Sequence, residues 1–304
     1  MGTPHAAVPT LRQCLDDGHE VVAVWTQPDR PSGRGNKITF NPVKEFALSQ
    51  GLSVFQPARI KNDEAKRLFA SHDADVAVVV AYGKILPDEF LRAPRRGCIN
   101  VHFSLLPLYR GAAPANWAIV NGETETGVTT MFIEPTLDTG PILLQDKTAI
   151  GETETAPELM ERLAEIGATL LSETLSKLNN ITPRPQHDRD ATFAPVLRKE
   201  DGLIDWTQTA FQIERRVRGL QPWPNAYTTF KSKRVTIWGA EVGPLRGIKQ
   251  PPGEVITAHG KLFVVACGDE TTLNVREIQA EGGRRMSARD FMNGMHIAKG
   301  DRFG

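Results

Sequence analysis

Apolar residues recur along this chain in two rhythms. Short runs rich in β-branched residues, Glu20 to Trp25 (EVVAVW), Ala74 to Ala81 (ADVAVVVA), Cys98 to Phe103 and Gly127 to Ile133, predict strands. The second run is apolar enough to be buried on both faces. Between them, apolar positions fall at helical spacing over Val8 to Asp17, Val43 to Gln50, Glu64 to His72, Pro87 to Ala93 and Ala113 to Asn121. Ala156 to Leu178 predicts a long amphipathic helix, with Leu159, Leu163, Ile166, Leu170 and Leu171 on one stripe. Strand, helix, strand at this spacing predicts a mostly parallel sheet covered by helices.

From Asn180 to Pro195 the periodicity lapses and prolines accumulate, which predicts a linker over 180–197 between a catalytic domain at 1–179 and a smaller domain at 198–304. The smaller domain carries short β-like runs at Ala226 to Phe230, Arg234 to Trp238, Gly253 to Thr257, Lys261 to Ala266 and Thr272 to Ile278. Gly and Pro separate them, and Thr207 to Leu220 reads as an accompanying helix. A small β-barrel is expected there. The first four residues, Met1-Gly2-Thr3-Pro4, read as the turn after an apolar strand. About five to eight strand residues are therefore expected to precede Met1 in the natural protein.

Composition narrows the class. A hydrophobic content of 40% and a charged content of 24% suit a soluble globular protein. No apolar run approaches the ~20 residues of a membrane span, and MGTPHAAVPT lacks an export signal. Cys14, Cys98 and Cys267 lie far apart, so neither a disulfide framework nor a zinc site is expected, and cytoplasm fits best. Net charge is zero, but residues 198–304 carry 17 basic against 12 acidic residues, a modest excess of the sign a polyanion partner needs.

One constellation carries chemistry. Asn100-Val101-His102 is followed by Ser104-Leu105-Leu106-Pro107, and later by Leu137-Asp138-Thr139-Gly140. An amide, an imidazole and a carboxylate are the groups needed to move an acyl carbon between two amines. Alternation along a strand puts Asn100 and His102 on the same side.

NVHFSLLPLYRGAAP at 100–114 together with LDTG at 137–140 resembles the formyltransferases that use 10-formyltetrahydrofolate. The likeness is greatest to the methionyl-tRNA formyltransferases and runs from Met1 to about Met292. It takes in QPDRPSGRG at 27–35, AYGKILP at 81–87, Asp205-Trp206 and Pro222-Trp223-Pro224. The resemblance implies an α/β fold: a Rossmann-like sheet with helices on both faces, then a C-terminal OB-like barrel that binds tRNA. It also implies catalysis by Asn100, His102 and Asp138, with 10-formyltetrahydrofolate as formyl donor and no metal. Asn100 and a charged His102 would hold the formyl oxygen, and Asp138 would keep His102 protonated and help remove the amine proton. A free imidazole is mostly neutral at pH 7, so such a role needs a carboxylate nearby.

Ser104, Leu105, Leu106 and Pro107, with Tyr82 and Leu86 of the 81–87 loop, are the implied folate-binding residues, Leu86 packing on the ring. The sequence departs from the commoner family pattern at Phe103, which would narrow the site, and at Leu108, where a basic residue is usual. Arg30, Arg34 and Lys37 lie in a loop that, by the same resemblance, meets the acceptor end of initiator methionyl-tRNA. Arg215, Arg216, Arg218, Lys231, Lys233, Arg234, Arg284, Arg285 and Arg289 are candidates for phosphate contacts. Trp223 reads as core and Gly111 as a helix entry, and the remaining six histidines as surface or structural. The chain is expected to act as a monomer. Two other readings stay open: a formyltransferase for an amino-sugar nucleotide, which shares the Asn, His and Asp motifs, and a non-catalytic RNA-binding module, which would leave them idle.

Overall fold

The computed structural model describes every residue except Gly33–Asn36, Leu245, Arg246 and Ile248. The contacts between residues divide the chain into two compact units. The first comprises Met1–Pro114, Glu125–Ala149 and Met160–Ala194; the second comprises Ala115–Thr124, Ile150–Leu159 and Pro195–Gly304. Residues 180–194, expected as linker, thus lie within the first unit.

In chain order the first unit contains strands β1 (Val24–Trp25), β2 (Arg30–Ser32), β3 (Lys37–Thr39), β4 (Val54–Phe55), β5 (Ala77–Val79), β6 (Cys98–His102), β7 (Arg110–Gly111), β8 (Glu125–Phe132), β9 (Ile142–Ala149) and β10 (Phe193–Ala194). Helices α1 (Val8–Asp16), α2 (Pro42–Ser49), α3 (Asp63–Ala70), α4 (Asp88–Arg92), α5 (Pro114–Asn121) and α6 (Ala156–Lys177) alternate with them, α5 and the first turn of α6 grouping with the second unit. Asn41 and Asn62 start α2 and α3 by accepting from Lys44 N and Ala65 N, at 3.0 and 3.1 Å.

β6 pairs with β5 in parallel, and with β8 antiparallel, while β8 and β9 form an antiparallel pair. The sheet is therefore mixed, with its parallel part N-terminal to the site. Helices cover both faces. Cys98 lies in one core cluster with Phe69 of α3 and Phe90 of α4, while Gly167 of α6 sits against Val101, Val128 and Phe103 on the other face. By alternation Asn100 and His102 share the Cys98 face. Phe103 points the other way and is buried beside Gly167, so it does not narrow the site.

Met1 and Gly2 stand between β1 and β5, where the pattern led to the expectation of a strand. Gly2 N donates to Trp25 O at 3.0 Å, Val80 N to Met1 O at 2.9 Å, and the Met1 ammonium to Val78 O at 2.7 Å. A cavity of about 540 Å³ is lined in part by Met1, Val21–Val24 and Val76–Val78. The regular strands are shorter than the apolar runs that predict them, β1 covering Val24–Trp25 and β5 Ala77–Val79.

The second unit is an antiparallel sheet of β11 (Ala226–Phe230), β12 (Lys233–Val242), β13 (Val255–His259), β14 (Leu262–Ala266), β15 (Thr272–Ala280) and β16 (Met286–Ser287), with α7 (Ala210–Gly219) and α8 (Ala288–Met295). The order is β11-β12-β15-β14-β13, with β16 on β15. This path is open. Its ends are linked by the last residues of the chain, where Phe303 N donates to Gly253 O at 2.9 Å and Gly304 N to Thr229 O at 3.1 Å. Ile213, Val217, Phe263, Val265, Leu273, Phe291 and Phe303 fill the core. Burying each large aliphatic or aromatic side chain of this kind stabilises by ~1.5–3 kcal/mol. Thr209 and Gln212 form a reciprocal cap at the start of α7.

Candidate active site

β6 delivers two of the three expected groups. Asn100 lies opposite Val79 and Met131 in the ladder, and His102 opposite Thr129. Among the described residues the Asn100 amide makes no hydrogen bond, which leaves both its donors available. His102 is 6% exposed and Asp138 8%. Nε2 of His102 lies 3.0 Å from Tyr109 O, an acceptor, so this nitrogen carries a hydrogen. Nδ1 faces Oδ2 of Asp138 at 3.8 Å, beyond hydrogen-bond reach. Nδ1 is thus the ring atom open to a reacting group, with a carboxylate beside it.

Asp138 sits at φ +54, in the left-handed region, on the turn before β9. Gly111 N donates to its Oδ2 at 2.8 Å. Gln186 Nε2 donates to Asp138 O at 2.9 Å and to Gly140 O at 2.7 Å. Gly140 is required by close approach: a Cβ there would lie 1.8 Å from Phe132 O. Gly111, read from sequence as a helix entry, instead belongs to β7 with φ +128, its missing Cβ making room for Ala194 O.

The loop after β6 is fixed from behind. Thr129 Oγ1 donates to Ser104 O at 2.7 Å and accepts from Leu106 N at 3.1 Å, while Gln145 Nε2 donates to Leu106 O at 2.9 Å. Ser104 Oγ donates to Leu108 O at 2.6 Å, within its own loop. Leu106 is buried with Met131 and Ile142; Leu105 and Pro107 are half-buried. Tyr82 and Leu86 are both in the core with Trp25 and Phe90. Burial pushes the Tyr82 phenol up to about 12, and its hydroxyl has no hydrogen-bond partner among the described residues. Leu86 therefore packs inward. The apolar side chains that these loops expose are Ile85, Leu108 and Leu137, at 65%, 41% and 61%.

Arg30 and Lys37 lie on the paired strands β2 and β3, in the register Arg30↔Thr39 and Ser32↔Lys37. Arg34 falls outside the described residues. In the second unit, the Arg216 guanidinium is half-buried and donates to Asp201 O, and burial pushes it down from the usual arginine range. The Arg215 guanidinium lies against Gly122. Lys231, Lys233, Arg284 and Arg289 are exposed. Trp223 is 54% exposed, contrary to its reading as core: it stands in a turn at 221–224 and projects outward. His72 accepts from Trp25 Nε1 at 3.1 Å, a structural place in which burial lowers its pKa.

Sequence reasoning missed Arg110, Thr129, Gln145 and Gln186. Gln186 lies in the stretch without periodicity, and nothing in its neighbours marks it. Among the described residues, no group of three or more His, Cys, Asp or Glu is placed to hold a metal, and no helix is long and apolar enough to cross a membrane.

Residues 1–175 match the Formyl transferase family, and residues 196–296 match the Formyl transferase C-terminal domain family. The chain is 49% identical to the methionyl-tRNA formyltransferase of Caldanaerobacter subterraneus subsp. tengcongensis, over 99% of this chain and 97% of that one. It is 44% identical to that of Alkaliphilus oremlandii, over 100% and 98%. Among solved structures, WlaRD, a sugar 3N-formyl transferase crystallised with dTDP and 5-N-formyl-THF, shares the fold with a TM-score of 0.66, covering 90% of this chain and 94% of that one at 18% identity. The chain belongs to the formyl transferase family and, within it, to the methionyl-tRNA formyltransferases.

Proposed function

We propose that this chain transfers the formyl group of 10-formyltetrahydrofolate to the α-amino group of methionyl-initiator tRNA, for translation initiation in the cytoplasm. The buried His102–Asp138 pair on the same site as the unpartnered Asn100 amide carries the chemical part of this reading. The full-length likeness to relatives named for methionyl-tRNA supports the acceptor.

The donor set fits a folate. Ile85, Leu108 and Leu137 expose apolar surface on the loops at 81–87, 104–108 and 134–140. These loops and their backbone groups would hold the flat ring, with Leu105 and Pro107 half-buried behind them. A bound folate would supply the formyl carbon on its N10.

Asn100 Nδ2–H and His102 Nδ1–H would donate to the formyl oxygen as negative charge gathers there. Two such donors matter because each is worth ~2.7–4 kcal/mol of barrier. The Nε2–H contact to Tyr109 O would hold the ring so that Nδ1 faces the reaction. Asp138 would balance the charge on the ring and accept the proton of the attacking nitrogen, directly or through one water. His102 would then give its proton to the departing nitrogen and regain one from Asp138, so the proton lost by the amine ends on the leaving group.

We further infer an OB-like barrel in the second unit, because residues 301–304 link the two ends of the sheet. Lys231, Lys233, Arg284 and Arg289, with Arg30, Arg34 and Lys37 of the first unit, would contact the RNA. Arg215 and Arg216 are less free for that role than sequence suggested, since each guanidinium is engaged within its own unit. Purified protein offered 10-formyltetrahydrofolate with either methionyl-initiator tRNA or a dTDP-amino sugar tests the assignment. Formylation of the tRNA is expected; formylation of the sugar nucleotide alone would overturn it.

A further inference from the structure

Arg110 is buried to 4% exposure, yet it is no part of the chemistry above. Burying a guanidinium is costly unless its donors are satisfied. Nε donates to Gln186 Oε1 at 3.0 Å and Nη1 to Asp188 Oδ1 at 2.8 Å, while Nη2 is buried with no hydrogen-bond partner among the described residues. The carboxylate of Asp188 is 86% exposed, so that ion pair is screened by water and contributes little by itself. A residue buried on these terms calls for a reason other than stability.

Its neighbours supply one. Tyr109 O meets His102 Nε2, and Gly111 N meets Asp138 Oδ2. The two residues flanking Arg110 thus touch the two groups of the buried pair. Gln186, which receives Arg110 Nε, also donates to Asp138 O and Gly140 O. The strap at 186–194 completes the frame: Thr192 O accepts from Arg110 N at 2.9 Å, Thr192 Oγ1 from Tyr109 N at 2.8 Å, and β10 pairs with β7. Tyr109 and Asp138 both hold left-handed backbone, φ +59 and +54, which a non-glycine residue keeps only where surroundings enforce it.

We propose that Arg110 and Gln186 are positioning residues: together they set the separation and orientation of His102 and Asp138. Arg110 ties the Tyr109–Gly111 segment to Gln186, and Gln186 ties that same junction to the turn carrying Asp138. Loss of either link frees one member of the pair relative to the other, and misplacement of about 1 Å costs about 100-fold in rate. The strap at 186–194, which looks like linker in the sequence, is in this account part of the active-site scaffold. The inference rests on the proposed formyl transfer and concerns how its residues are held.

The test uses the full-length protein and the variants Arg110→Lys, Gln186→Glu and Gln186→Met. Lysine keeps the charge but cannot reach Gln186 and Asp188 with one planar fork. Glutamate keeps an acceptor for Arg110 and loses the two donors to the Asp138 turn; methionine loses both. We expect kcat to fall about 10- to 100-fold for Arg110→Lys and Gln186→Met with KM for both substrates within about two-fold. Gln186→Glu is expected to be affected as well, because the turn is released. The pH profile of kcat is expected to shift in the same variants. A second readout needs no turnover: the 15N chemical shifts of the His102 ring nitrogens in the free protein should differ from wild type in each variant, because the ring sits differently against Tyr109 O and Asp138. Variants that lose thermal stability but keep wild-type kcat and unchanged His102 ring 15N shifts would overturn the proposal, as would a rise in KM alone. If Arg110→Lys does not fold, the two Gln186 variants and their His102 ring 15N shifts decide the matter. A wild-type protein without formyl transfer would instead count against the proposed function.

Discussion

Nδ1 of His102 lies 3.8 Å from Oδ2 of Asp138, while its Nε2 is taken by Tyr109 O at 3.0 Å. The ring is therefore held at one nitrogen and open at the other. In the proposed mechanism the two nitrogens do different work: Nε2 would orient the ring, and Nδ1 would meet the substrate beside a carboxylate.

Replacing Asp138 with Asn keeps the shape of the side chain and removes its charge and basicity. General acid–base contributions of this kind are worth about 10²- to 10⁴-fold, and we expect a fall in kcat within that range with little change in KM. Steady-state formylation of methionyl-tRNA measures it. A variant with full kcat would remove Asp138 from the mechanism.

Asn100→Ala should cost ~2.7–4 kcal/mol of barrier, or about 10²- to 10³-fold in rate. The Asn100 side-chain amide makes no hydrogen bond among the described residues, so its removal is expected to leave thermal stability within about 0.5 kcal/mol. Paired kinetic and calorimetric measurements distinguish this from a structural role, in which stability and rate would fall together.

Gly140→Ala places a methyl where Phe132 O already lies, 1.8 Å from the new carbon. The turn must move, and Asp138, two residues earlier, moves with it. We expect loss of several kcal/mol of stability together with activity, read from the thermal midpoint and turnover. An unperturbed midpoint would show that the approach is looser than described.

Burial pushes the thiols of Cys98 and Cys267 up to about 12 and that of Cys14 up to about 11. The thiolate is the reactive form, so at pH 8 all three are expected to react slowly with a thiol reagent in the native protein and promptly in denaturant. Fast native labelling of Cys98 or Cys267 would contradict their place in the core.

Arg34→Ala is expected to weaken use of methionyl-tRNA, seen as a raised KM for tRNA, and to leave folate binding nearly intact. Equal loss of both would remove the 27–37 segment from acceptor recognition.

Much of the frame was legible because it follows from periodicity. The alternation of β6 placed Asn100 and His102 on one face, and the leucine stripe marked α6. What failed was assigning side chains within loops. Leu86 and Tyr82 belong to a loop that resembles a folate-binding one, but aliphatic and aromatic side chains in a loop can equally turn inward, and these do, while Ile85 is exposed. Trp223 failed in the opposite direction, since large apolar character suggested burial while its turn faces solvent. Gln186 was invisible because its role is made of hydrogen bonds to Asp138 O, Gly140 O and Arg110, partners 46 to 76 residues away. Such contacts leave no local pattern.

The central claim, that His102 acts on the formyl oxygen with Asn100 and Asp138 in transfer to methionyl-tRNA, is tested most directly by single-turnover formylation with His102→Ala. The rate of the chemical step is expected to fall about 100-fold or more while tRNA and folate still bind. Wild-type single-turnover rates in that variant would contradict it.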